Sequence, residues 1–227
     1  MTPVLTALGA AWLLLTASIA HGTSESLYAC DAQPPPGPAW ALAHRSADMR
    51  LYQRTSTDTP PEVAVRVRWQ ASPQALYRLI WEYEHFADVI PNVERSLVLE
   101  RTRHRVWVYQ RLNYPAPVRD RHYVLESTDR PSDPATGHYR VEWRLSERFE
   151  LPANNGAVPV AAFSGCWDIL RSRGGLEAVY RITLVPGGLV PEWVARHAVH
   201  TYLIELMAAL KAKLAASSAT SGSDGND

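Results

Sequence analysis

Six consecutive strand-like segments separated by turn residues lead into one long helical pattern. That order limits the fold more than any other feature of the chain. The segments run over Ser96–Arg101, His104–Leu112, Arg121–Thr128, His138–Ser146, Ala162–Leu170 and Leu176–Val185. The side chains of a strand point alternately to its two faces, so one face of such a sheet can be laid against a core. Turn formers separate them: Asp133-Pro134, Gly137, Asn154-Asn155-Gly156 and Gly174-Gly175. Strands joined this way pair antiparallel. From about Pro191 to Leu214, the residues Ala195, Val199, Leu203, Leu206, Leu210 and Leu214 share one helical face. That stripe must be buried, and the sheet is the surface at hand. The expectation is an α+β domain whose curved antiparallel sheet wraps around the C-terminal helix. A cavity remains between them unless large side chains fill it.

Upstream elements support the same plan. Asp48–Arg54 and Val63–Trp69 read as strands, the latter with Val63, Val65, Val67 and Trp69 on one face. Ser72 caps a helix that Pro73 opens, with Leu76, Leu79, Ile80 and Tyr83 as its apolar stripe. Trp40–His44 reads as a short helix, and Pro91 ends another near Phe86–Ile90. Leu5 to Ile19 is almost wholly apolar and short for a membrane span, and Ser18-Ile19-Ala20 offers small residues for cleavage. We therefore read residues 1–20 as a signal peptide, with a retained N-terminal anchor as the competing reading. Residues 21–37 form a Pro-rich lead-in, 38–214 one domain and 215–227 a disordered tail. The expected location is periplasmic or secreted. In an oxidising compartment Cys30 and Cys166 either pair or remain a tail thiol and a buried thiol. Spacing decides between neither.

Composition narrows the function. A formal net charge of zero argues against nucleic-acid binding. Eight Trp and ten Tyr against three Phe supply amphipathic rings that suit cores and apolar pocket walls alike. No GxSxG, P-loop or dinucleotide fingerprint occurs, so no cofactor is expected. His197, His200 and Glu205 lack the HExxH spacing, and no metal site is expected.

Tyr114-Pro115-Ala116-Pro117-Val118-Arg119-Asp120-Arg121-His122-Tyr123 places cations where a strand begins. Such placement costs free energy unless the charges are paired or serve a ligand. The stretch resembles the Pro-Val-x-x-Arg-Asp-Tyr pattern of the START domain, the lipid-transfer module of the SRPBCC superfamily. Gly165-Cys166-Trp167-Asp168-Ile169 and Pro186-Gly187-Gly188-Leu189-Val190-Pro191-Glu192-Trp193 are similar to two further motifs of that family, and Ala71–Tyr77 to the start of its first long helix. The resemblance spans roughly residues 38 to 214. It implies a helix-grip fold and the binding or carriage of a lipid or sterol-like molecule, with transient membrane contact, as a monomer and without catalysis. His122 departs from it, standing where the family has Asp.

The candidate ligand-binding residues follow. Trp107, Tyr109 and Arg111 share a strand face that either lines the cavity or joins the core. Arg121 shares a face with Tyr123 and is either a polar anchor for the ligand or the partner of a glutamate such as Glu142. Trp143 and Trp167 are assigned to the interior. Trp193, Val199 and Leu203 are expected at the cavity mouth. Two alternatives remain: a polyketide cyclase or aromatase using His122, Glu142 or Asp168 as acid–base groups, and a protein-interaction module.

Overall fold

A computed structural model of the chain describes residues 40–54, 61–114, 118–133, 135–152, 156–188 and 192–223. The segments read above as a signal peptide and a Pro-rich lead-in, with Cys30, and the side chains of Trp193 and Ala195 lie outside the described residues.

The chain enters through three strands, β1 (Trp40–Arg45), β2 (Met49–Arg54) and β3 (Glu62–Trp69). Helix α1 (Pro73–Trp81), a 3-10 turn (Tyr83–His85) and the short α2 (Phe86–Val89) follow. Then come β4 (Val93–Arg101), β5 (Arg105–Leu112), β6 (Arg121–Asp133), β7 (His138–Leu145), the two-residue β8 (Val158–Pro159), β9 (Ala162–Ser172) and β10 (Gly175–Val185). Helix α3 (Glu192–Ser223) closes the fold. The sheet order is β1-β2-β3-β10-β9-β7-β6-β5-β4. All of these pairs are antiparallel, and β8 adds a short parallel pairing with β6. The curved antiparallel sheet and C-terminal helix make this the helix-grip fold that the resemblance implied.

Register decides which side chains meet α3. Val63, Val65, Val67 and Trp69 of β3 face the core, as their alternation predicts. Leu176, Ala178, Tyr180 and Ile182 of β10 do the same. On α3 the buried positions are Leu203, Leu206, Met207, Leu210 and Leu214. The C-terminal four positions of the predicted stripe are thus buried and Met207 joins them, while Val199 is half-buried.

Two local expectations fail. Trp40–His44 is not a helix but part of β1, with Trp40 paired to Arg54 and Leu42 to Tyr52. Its helix-compatible residues are overruled by ladder bonds to β2, and its mostly exposed side chains fit an edge strand. The second concerns the tail. Helix α3 continues through Ser223, well past Leu214. Alanines favour this continuation. Ser217 and Ser218 also donate their hydroxyls to the carbonyls of Lys213 and Leu214, both at 2.9 Å.

Candidate functional site

Two voids lie between the sheet's inner face and α3. The outer one has a volume of about 240 Å³. Val63, Ile182 and Leu184 form its strand wall and Val199 its helix wall, while Gln53, Arg54, Glu62, Arg196 and His200 add polar groups. The inner one is about 60 Å³ and is ringed by aromatic side chains, including Tyr123, Trp143, Trp167, Tyr180 and Tyr202. Ile182 and Tyr180 stand two residues apart on one face of β10, and Val199 and Tyr202 three apart on α3. The voids are therefore successive chambers of one gap. Leu203, fully buried, sits one helical turn from Val199 and another from Leu206.

The rings explain why the inner chamber is small. Trp143 stacks on Tyr180 at 5.4 Å and meets Phe163 edge-on at 6.2 Å. Trp167 packs on Tyr180 at 4.6 Å, and Phe163 on Tyr123 at 5.2 Å. The Trp143 indole lies over Gly165, where a Cβ would fall 2.6 Å from the ring and 2.3 Å from the Arg181 carbonyl. Only glycine lets the ring lie that close to the strand. The Tyr123 hydroxyl donates to Gln110 Oε1 at 2.9 Å, and Gln110 Nε2 donates to Ser96 Oγ at 3.1 Å. Trp143 Nε1, Gln53 Oε1 and His200 Nε2 are buried with no hydrogen-bond partner among the described residues. Each such group costs about 1–3 kcal/mol.

Arg121 is 5% exposed, and no carboxylate pairs with it among the described residues. Its Nε donates to the Pro186 carbonyl at 2.7 Å and one terminal nitrogen to that of Gly187 at 3.2 Å. The other terminal nitrogen donates to the carbonyl of Arg119. Glu142 pairs instead with Arg130 at 2.6 Å. Arg121 thus clasps the turn leading into α3, on the rim of the outer chamber. Gly187 completes the corner. It sits at φ +71°, and a Cβ there would fall 2.6 Å from the Pro159 carbonyl. The segment 158–161 is pinned at this corner by Val158 N–H to Asp120 O (2.8 Å) and Ala161 N–H to Val185 O (3.0 Å).

Three predicted site residues face away from the gap. Trp107, Tyr109 and Arg111 pair with Glu126, Val124 and His122 on the sheet's outer face, opposite the core-facing Val106, Val108 and Gln110. Trp107 is buried there because the Arg148 guanidinium covers it, 4.3 Å from the ring centroid. Tyr109 meets His122 edge-on. Arg111 is engaged by Glu94 at 3.0 Å and Asp120 at 2.7 Å. The alternation was right and the choice of face wrong, because burial on the outer face mimics core burial in the sequence. Tyr123, Trp143 and Trp167 do line the inner chamber, and Val199 the outer. Gln53, Arg54, Glu62, Arg196 and His200 were missed. For His200 a signal existed, since it follows Val199 and precedes Leu203 by three. For Gln53 and Glu62 none did, because β2 and β3 meet the chamber only through tertiary pairing.

Glu62 binds two arginines, Arg54 and Arg181. His200 is held below the usual histidine range by burial, with Arg196 and His197 adding repulsion. His122 is lowered by burial and then by Arg111. Both histidines therefore bind protons less readily folded than unfolded, where the value is about 6.5. Their stabilising contribution is complete above that value and is lost as pH falls below it. The urea midpoint is expected to drop between about pH 7 and pH 5, and the His122→Phe/His200→Leu double variant should flatten that slope. No cluster of three or more His, Cys, Asp or Glu among the described residues is placed to hold a metal ion.

Residues 69–211 match the family described as polyketide cyclase / dehydrase and lipid transport. The chain belongs to that family. It lies within the SRPBCC superfamily, and solved START structures share its fold. A STAR-related lipid transfer protein from Xanthomonas axonopodis is 24% identical with a TM-score of 0.69, over 78% of this chain and 98% of that one. Human StAR-related lipid transfer protein 5 is 12% identical with a TM-score of 0.66, over 78% and 86%. An aromatase/cyclase from Streptomyces sp. R1128 is 16% identical with a TM-score of 0.50, over 67% and 92%. An uncharacterized Pseudomonas aeruginosa protein is 26% identical over 90 residues, which is 39% of this chain and 43% of that protein.

Proposed function

We propose that this protein binds a compact hydrophobic molecule between α3 and the sheet, as an exported carrier and not as a catalyst. The apolar outer chamber of about 240 Å³, walled by Val63, Ile182, Leu184 and Val199, carries this reading. Its size lies just below the roughly 300–1,000 Å³ of pockets for drug-sized ligands. It suits one ring system or one short chain better than a whole sterol or diacyl lipid. Each methylene taken from water contributes about 0.8 kcal/mol. The lipid-transfer proteins that share the fold are consistent with this use of the gap.

The three acid–base candidates support carriage over catalysis. His122, Glu142 and Asp168 all sit on the outer face of the sheet. Asp168 is engaged there by His138 at 2.6 Å and Arg140 at 2.7 Å. Export is supported by the apolar run Leu5–Ile19 and by Cys166, which is disulfide-bonded. Val118, 38% exposed and next to the Arg119 that grips the Gly156 carbonyl, gives the corner near the mouth an apolar tip for brief membrane contact. The balanced net charge supports a protein that acts without nucleic acid, and we take the carrier to be a monomer.

Organic extraction of the purified protein followed by mass spectrometry tests the proposal. One apolar compound near one equivalent is the expected result. Displacement of a fluorescent probe should then weaken about tenfold in Val199→Glu, equivalent to 1.4 kcal/mol. An empty extract together with no binding of alcohols, ketones, fatty acids or sterols would refute it.

A further inference from the structure

We infer that Trp143 is a fixed hydrogen-bond donor for the oxygen at the buried end of the ligand. The inference rests on the binding function proposed above and names the chemistry of what is bound. Trp143 is 7% exposed and lines the inner chamber. No group among the described residues accepts from its Nε1. A mobile side chain would turn to find an acceptor, but this one has no freedom to do so. Gly165 lies against one part of the ring, Tyr180 stacks on it, and Phe163 abuts it. The donor is therefore held in position before any ligand arrives, which lowers the ordering cost of binding.

Volume limits what can meet it. The inner chamber, at about 60 Å³, has a quarter of the volume of the outer one at about 240 Å³. It can take the tip of a molecule whose body fills the outer chamber. An N–H accepts nothing, so that tip must carry an acceptor. A carboxylate is disfavoured because no cation among the described residues lines the chamber and several of its polar groups are already paired: Tyr123 with Gln110, Gln110 with Ser96, and Tyr83 with Ser127 at 2.8 Å. The ligand class is an apolar body ending in a carbonyl or other uncharged oxygen.

Two probes on one carbon skeleton test this: 4-phenyl-2-butanone and butylbenzene, added to the full-length protein labelled with 15N-tryptophan. The Trp143 indole resonance is identified through its contacts with Phe163 and Tyr180. It should move downfield with the ketone and stay in place with the hydrocarbon. After correction for partitioning from water, the native protein should prefer the ketone, and Trp143→Phe should reduce that preference about fivefold. An indole signal that responds equally to both probes, or to neither while both shift the Val199 and Leu203 methyls, overturns the assignment and leaves the binding function standing. That includes the case of a permanent water on Nε1. If neither probe shifts those methyls, the binding function falls and this assignment with it.

Discussion

Leu203→Ala is expected to lower the melting temperature by about 5–15 °C while tightening the binding of apolar probes. Leu203 is fully buried on the α3 stripe. Truncating such a leucine costs about 2–5 kcal/mol, the spread reflecting how far the surroundings collapse. In a chain of this size each kcal/mol shifts the midpoint by roughly 2–4 °C. The gain in binding has a separate cause. Leu203 lines neither chamber, in contrast to the expected place at the cavity mouth, and is packed between Val199, which lines the outer chamber, and Leu206, which lines the inner one. Its loss joins the two, and a dry apolar cavity of that kind takes up apolar guests. Calorimetry gives the first quantity and probe titration the second. An unchanged melting temperature would show that α3 is not packed on the sheet, and a lower one without tighter binding would show that the chambers do not join.

Arg121→Met should lower the melting temperature by about 5–12 °C and speed the release of a bound probe. Methionine keeps much of the apolar stem but removes the donors to the Pro186, Gly187 and Arg119 carbonyls. Charge-assisted hydrogen bonds contribute about 1.5–3 kcal/mol each, and stranded buried carbonyls add to the loss. Partial relaxation toward water brings the expected total to about 2–4 kcal/mol, with the midpoint following at the same rate as above. Release should quicken because the clasped turn leads directly into α3 at the rim of the outer chamber. Arg121→Lys should recover only part of both effects, since an ammonium cannot span several carbonyls as a planar fork does. Stopped-flow dissociation and calorimetry together decide. An off-rate equal to that of the native protein would show that the clasp does not control the mouth.

The Arg121 result shows how far the sequence can be read. A strand opening on Arg-Asp-Arg marked a place where charge needs a partner, and the structure supplies one of an unforeseen kind. The partners are backbone carbonyls some 65 residues downstream, and sequence cannot show them because every residue carries a carbonyl. Asp120 lies on the opposite face, as alternation required, and serves Arg111 there. The Asp120 carboxyl is held below the ordinary carboxylate value by the hydrogen bond from Arg111. Trp107 and Tyr109 teach a related lesson. Alternation told which residues share a face, but on the outer face Arg148 covers Trp107 and His122 packs against Tyr109, and both rings are buried as deeply as in a core.

The sequence alone determined the run of strands, their antiparallel pairing and most of the α3 stripe, because periodicity and turn chemistry are local and repeat along the chain; the family was legible separately, through the resemblance of three short motifs. The shape and chemistry of the gap were decided only in three dimensions. Strand β2 borders the outer chamber through its register with β3, and Gly165 sets how closely Trp143 lies on the sheet. The volume left beside α3 is the small difference between a large curved surface and the rings that fill it, and no local pattern in the chain encodes such a difference.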